Sequence, residues 1–301
     1  MISRIATFNH SNTMLTASLK VQAKLADQQA QTASGLKSTT YGGLGKDTGS
    51  LLRLSSQSAA LTAENSAAST AAAYVNASYS ALGDIADLAT TIKTQLASMM
   101  SSTTTDADTM TQYATSWLND LQALLNSNSA GVYLFSGTAG AAAAVDYSDT
   151  DYDPTADTSV ADTNYYQGSG AGRTFTTTDG QTINLSVTAD SSAFEELARA
   201  LKMVIASPSD TTVISSAYDM VSDAVTGVGS LQEQVSLQAS TLSDLTSRNE
   251  AKIDSIDTLS SNLKDADLAE TAVLATQYET QLEAMYSMIS TLSSLSLSKY
   301  L

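Results

Sequence analysis

Proline occurs only at positions 154 and 208 of this 301-residue chain. Everything before the first and after the second is therefore open to unbroken helix, because proline is the residue that most reliably ends one. Both ends use that freedom and both carry an apolar stripe. The tail stripe runs Leu274, Tyr278, Leu282, Met285, Ile289, Leu292, Leu295. Its steps of three and four residues match the 3.5–3.6 period of a packed helix seam. The head stripe is looser: Ile5, Phe8, Leu15, Leu19, Leu25. Residues 1–53 carry Arg4, Lys20, Lys24, Lys37, Lys46 and Arg53 against Asp27 and Asp47. Residues 265–301 carry Asp265, Asp267, Glu270, Glu279 and Glu283 against Lys299. A basic helix at one end and an acidic one at the other can pair with each other or with copies of themselves.

Between them the pattern predicts a glycine-rich extended connector over 35–50 and a long helix over 51–100, striped by Leu82, Ile85, Leu88, Ile92, Leu96 and Met99. A helix over about 107–128 follows, capped by Asp106 or Asp108 and bearing Met110, Trp117, Leu118, Leu121 and Leu125. Residues 129–190 change character. Gly, Thr, Asp and Tyr dominate, with β-like runs at 132–135, 165–166, 174–178 and 182–187 and a hairpin signal at Asp179-Gly180. This segment reads as a small acidic β-rich insert on the solvent side. Helix returns over 193–206 and stops at Pro208. A long helix over 211–262 follows, with Val235, Leu242, Leu245, Ile253, Ile256, Leu259 and Leu263 near heptad spacing. The simplest closure is antiparallel: long helix on long helix, end helix on end helix. At 1.5 Å per residue each long helix would span roughly 75 Å, which predicts a rod.

Several function classes are poorly served. A net charge of −17 argues against nucleic acid and against anionic membranes. No run approaches the length of a membrane span, and the N-terminus lacks the apolar core of a cleaved signal, so any export is expected to use another route. There is no cysteine, and His10 is the single histidine, on a segment with no acidic partner beside it. No cofactor or metal is expected. Gly42-Gly43-Leu44-Gly45-Lys46 lacks the spacing of a phosphate loop. Asp149, Asp151 and Asp153 have the opening spacing of a calcium loop, but Pro154 and Val160 stand where glycine and glutamate are required. Tyr41, Tyr147, Tyr152, Tyr165 and Tyr166 suit a glycan-binding face on the insert, or, as the better reading, packing.

Local matches accumulate toward one family. Ser34-Gly35-Leu36-Lys37 follows the first helix, Leu82–Ala97 lies in the long helix, and Gly131-Val132-Tyr133-Leu134-Phe135-Ser136-Gly137 opens the variable region. An Asp-Ala-Asp-x-Ala-Glu element occupies 265–270, and the chain ends Leu-Ser-Lys-Tyr-Leu. With these features the chain resembles the bacterial flagellin family of flagellins and hook-associated junction proteins, over about two thirds of its length. The Tyr-Leu-Phe-Ser-Gly form is more typical of the hook-associated protein 3 type. Two departures stand out: Gly42–Asp47 replaces an acidic connector element, and Thr91–Leu96, with Lys93 alone, replaces an arginine-rich stretch.

The resemblance implies a mainly α, long antiparallel coiled-coil rod with a small β-rich insert. Its divisions would be an N-terminal axial helix and connector (1–50), rod helices and hairpin (51–137), a variable insert (138–190), further rod helices (191–263) and a C-terminal axial helix (264–301). It implies a non-enzymatic structural subunit of the flagellum, exported without a cleaved signal. Such a subunit assembles with copies of itself and with other axial proteins, hook-associated proteins and flagellin, and is handled by an export chaperone. A filament-forming flagellin is the alternative within the family. A secreted coiled-coil adhesin or glycan binder using the insert is the alternative outside it.

Overall fold

The computed structural model describes residues 2–101 and 106–297, with side chains described over 9–101 and 106–291. The elements in order are α1 (Ile2–Ser34), α2 (Thr48–Met100), α3 (Ala107–Leu125), β1 (Asn128–Ser129), β2 (Val132–Tyr133), β3 (Thr174–Thr176), β4 (Thr182–Asn184), α4 (Ser192–Ala206), α5 (Thr211–Lys264) and α6 (Leu268–Leu297). The expectation of a mainly helical chain with a small β insert holds. The termini of the helices explain their bounds. Asp106, not Asp108, caps α3, accepting from the Thr109 amide at 3.2 Å and its hydroxyl at 2.7 Å. Asp210 caps α5 through the amide of Thr212 at 2.8 Å, and Asp267 caps α6 through Ala269 at 2.9 Å.

The chain divides into two compact units. The first joins residues 1–59 with 252–301. Here α1 and α6 pack antiparallel, with Thr32 meeting Thr271 and Lys24 lying over the Tyr278 ring. The connector within this unit is not extended as expected. A short 3-10 helix spans Tyr41–Asp47, and the Thr48 hydroxyl bonds back to the Tyr41 carbonyl. The glycines bend the chain rather than extend it: Gly45 sits at φ +57°, a left-handed kink open to a residue without Cβ.

The second unit, 60–251, holds the main core. In it α2 and α5 run antiparallel: Lys93 Nζ donates to Ser222 Oγ at 2.8 Å, while further along α2 Gly83 faces Gln232. Leu82, Ile85, Ile92 and Leu96 of α2 are fully buried with Val221, Val228 and Val235 of α5. Every apolar residue predicted for α3 is buried as well. One predicted member of the α5 stripe, Leu259 in the first unit, is instead half exposed, and the buried place beside it goes to Ser260.

The sheets are two-stranded. Asn128 and Ser129 pair with Tyr133 and Val132 across an Ala130-Gly131 turn, both of whose residues have positive φ. Phe175 pairs with Ile183 across the turn holding Asp179-Gly180. The predicted run at 165–166 contributes only a single bridge, Tyr166 to Val145.

The insert is not a solvent-side appendage. Tyr147, Tyr152 and Tyr165 are buried, with ring centroids 5.0–5.7 Å apart. Lys202 of α4 donates to the Tyr147 carbonyl at 3.0 Å and lies over Tyr152, and the Tyr165 hydroxyl donates to Ala189 O at 2.8 Å. The buried carboxylate of Glu195 pairs with Arg199 at 3.0 Å and accepts from the Asp162 amide at 3.1 Å. The physical reason is a division of labour. Asp146, Asp153 and Asp157 each close a tight local turn by accepting from a Ser or Thr two residues on, which leaves the tyrosines between them free to point inward. These tyrosines pack, as the better reading had it, and form no glycan-binding face; Tyr166 is half-buried and Tyr41 exposed.

Candidate assembly interface

The α1–α6 pair is the candidate site, and its seam follows from local register. On α6 the less exposed face runs Thr271, Leu274, Tyr278, Leu282, Met285, Ile289, with Leu282 only 7% exposed. On α1 the corresponding face runs Met14, Ser18, Val21, Leu25, Gln28. Those steps of 4, 3, 4 and 3 residues are a heptad seam. Ser18, deeply buried at 2% exposure, stays satisfied by donating to Leu15 O at 2.9 Å.

Leu25, Leu274, Tyr278, Leu282, Met285 and Ile289 therefore lie in this one seam between α1 and α6. Leu15 and Leu19 do not. They are 52% and 57% exposed and look away from α6. The reason is angular: at 100° per residue they sit roughly 80–140° from the line through Met14, Ser18, Val21 and Leu25. The side chains of Ile5, Phe8, Leu292 and Leu295 lie outside the described residues. On α6, Leu268, Val273, Tyr286 and Met288 are likewise 48–67% exposed. The pair thus has one apolar face that it buries itself and further apolar surface that it leaves uncovered.

The opposite charges of the two helices are not used for pairing: among the described residues no ion pair links them. Lys24 instead places its ammonium 5.7 Å from the centre of the Tyr278 ring.

The open end of the pair is closed by a clamp. Gly35, at φ +73°, turns the chain out of α1. Leu36 then bridges Asp265, with Lys37 N donating to Lys264 O at 2.7 Å and Ala266 N to Gly35 O at 2.9 Å. The Lys37 ammonium donates to Asn262 O at 2.8 Å and Leu263 O at 3.0 Å, satisfying carbonyls in the last turn of α5. One segment thereby stops α5 and seats the start of α6.

His10 is exposed on α1, and among the described residues no acidic or histidine cluster is placed to hold a metal ion. Asp149 and Asp153, two of the carboxylates with calcium-loop spacing, are turned to the Asp151 amide and to Thr155. Among the described residues no helix is long and apolar enough to cross a membrane.

No family model matches the chain, and no curated protein sequence matches it. Solved structures do. A protein of Vibrio parahaemolyticus assigned as a flagellar hook-associated protein superposes with a TM-score of 0.59 at 14% identity, over 72% of this chain and 97% of that one. FlgL of Bacillus cereus superposes with a TM-score of 0.55 at 10% identity, over 70% of this chain and 98% of that one. The chain has the fold of these two proteins, and the superposition spans nearly the whole of each.

Proposed function

We propose that this protein is a structural, non-enzymatic subunit of the bacterial flagellum, placed at the junction of hook and filament. The observation that carries the reading is the fold shared with a protein assigned as flagellar hook-associated and with FlgL, over almost their entire length. The ends support it. The α1–α6 pair buries one seam and leaves Leu15, Leu19, Val273, Tyr286 and Met288 open to water, which suits helices whose remaining faces are covered by neighbouring subunits. Its partners are then further copies and other axial proteins, with an export chaperone holding the ends beforehand, and its place of work is outside the cell.

Electron microscopy of the purified chain tests the reading. A junction subunit forms rings or short stacks. Long tubes growing from seeds would replace the junction reading with a filament flagellin, and a chain that stays monomeric under all assembly conditions would overturn both. Replacing Leu282 and Ile289 together by Asp puts charge into the seam and is expected to abolish assembly while residues 60–251 keep their helicity.

A further inference from the structure

The second unit carries a cavity that neither the seam nor the core accounts for. It has a volume of about 600 Å³ and opens between the exposed face of α2 at Ala67, Thr70 and Tyr74 and the chain at Arg173. The α2 wall is low because it is made of alanine and threonine until Tyr74. Arg173 forms the back. Its Nε donates to Gly137 O at 3.0 Å, and its guanidinium lies 5.5 Å from the centre of the Tyr74 ring. That ring is itself fixed, because the Tyr74 hydroxyl donates to Leu134 O at 2.6 Å. Gly140 presses on the other side, where a Cβ would collide with Nη2.

The guanidinium is thus half-buried and held in place, yet among the described residues no carboxylate pairs with it. That is notable in a chain with 31 acidic residues against 14 basic ones, in which Arg173 is the sole basic residue between Lys93 and Arg199. A positioned guanidinium beside methyl-bearing walls suits a carboxylate on an apolar stem.

We propose that this trough receives an aspartate or glutamate side chain from a second copy of the chain. The argument for a second copy is charge complementarity. The same unit displays exposed carboxylates along α5, among them Asp219, Asp223, Glu233 and Asp244, while Arg173 waits in a recess roomy enough for several residues of another chain. The inference rests on the proposed assembly of copies and names one of its contacts.

Two variants and one cross-link test it. Arg173→Glu reverses the charge. Ala67→Trp, at an exposed helix position, fills the trough without touching the Arg173 bonds and covers the case in which the first variant misfolds. Both are expected to keep the circular dichroism of the wild type and to raise the subunit concentration needed for assembly by about tenfold or more. A photo-cross-linker at Thr70 in the assembled wild type is expected to capture an Asp- or Glu-bearing segment of another copy. Assembly of both variants at the wild-type concentration overturns the proposal, as does capture of a segment without acidic residues. A wild type that never assembles overturns the proposed function instead, so the two failures are distinct.

Discussion

The contrast between Leu282 and Leu19 gives the sharpest check on the seam. Both are leucines on the end helices, and both were expected in one interface. Leu282 is 7% exposed and Leu19 is 57% exposed. Removing a buried leucine side chain to alanine costs about 2–5 kcal/mol in a full core. The seam is two helices wide, and Tyr278 and Met285 beside Leu282 are only half-buried, so the lower end applies: about 2–3 kcal/mol for Leu282→Ala. Leu19→Ala removes no contact with α6 and is expected within about 0.5 kcal/mol of the wild type. The loss falls on local opening of the α1–α6 pair, so the assay is native-state amide exchange of the monomer read along α6. There Leu282→Ala should speed exchange by roughly 30- to 150-fold, at tenfold per 1.4 kcal/mol. Leu19→Ala should leave it unchanged while still weakening assembly, since the proposed function puts its exposed side chain against a neighbouring subunit. Equal acceleration by both variants, or none by Leu282→Ala, would refute the register described here.

Glu64 of α2 reaches the β3–β4 hairpin, accepting from the Thr178 amide at 3.1 Å and its hydroxyl at 2.7 Å. Glu64→Ala should cost about 1–3 kcal/mol in urea unfolding, and Glu64→Gln distinctly less, because only the former leaves both donors without a partner. The insert should also respond to pH in two windows. Hydrogen bonds from Ser148, Thr155 and Ser159 hold Asp146, Asp153 and Asp157 below the ordinary carboxylate value, so their contribution is present above that value and fades as pH falls below about 3.8. Burial raises Tyr147, Tyr152 and Tyr165 well above the ordinary tyrosine value and pushes Tyr166 up to about 12. The neutral forms are therefore favoured by folding, and stability should fall as pH rises above about 10, with the share of tyrosinate absorbance that belongs to these buried rings appearing together with loss of helix. Complete tyrosinate formation in a still-helical protein would contradict the buried cluster.

The helices were legible because nothing in their sequence competes with helix. The α6 seam was legible because its apolar residues are consecutive members of one stripe. The α1 seam was obscured by polarity. Ser18 and Gln28 occupy heptad positions, and the more hydrophobic Leu15 and Leu19 lie off the line, so hydrophobicity points to the outer face of α1 while the heptad spacing marks the face turned to α6. The insert misled through its aspartates. Counted together they suggest a solvated appendage; taken one by one, several close a local turn and leave a buried tyrosine nearby. The 35–50 connector misled because glycine permits both extension and tight turning, and the turn that forms is tied by a bond between Thr48 and Tyr41 that no local pattern announces.

The first unit joins the opening 59 residues of the chain to its closing stretch from 252 onward. During synthesis this imposes an order. Residues 60–251 are complete while α6 does not yet exist. At about 5–20 residues per second, α1 waits roughly 10–50 s for its partner. Through that interval the seam face of Met14, Val21 and Leu25 is as bare as Leu15 and Leu19. The α1–α6 pair can form only once residues 60–251 have been made, and whatever delays α6 keeps it open.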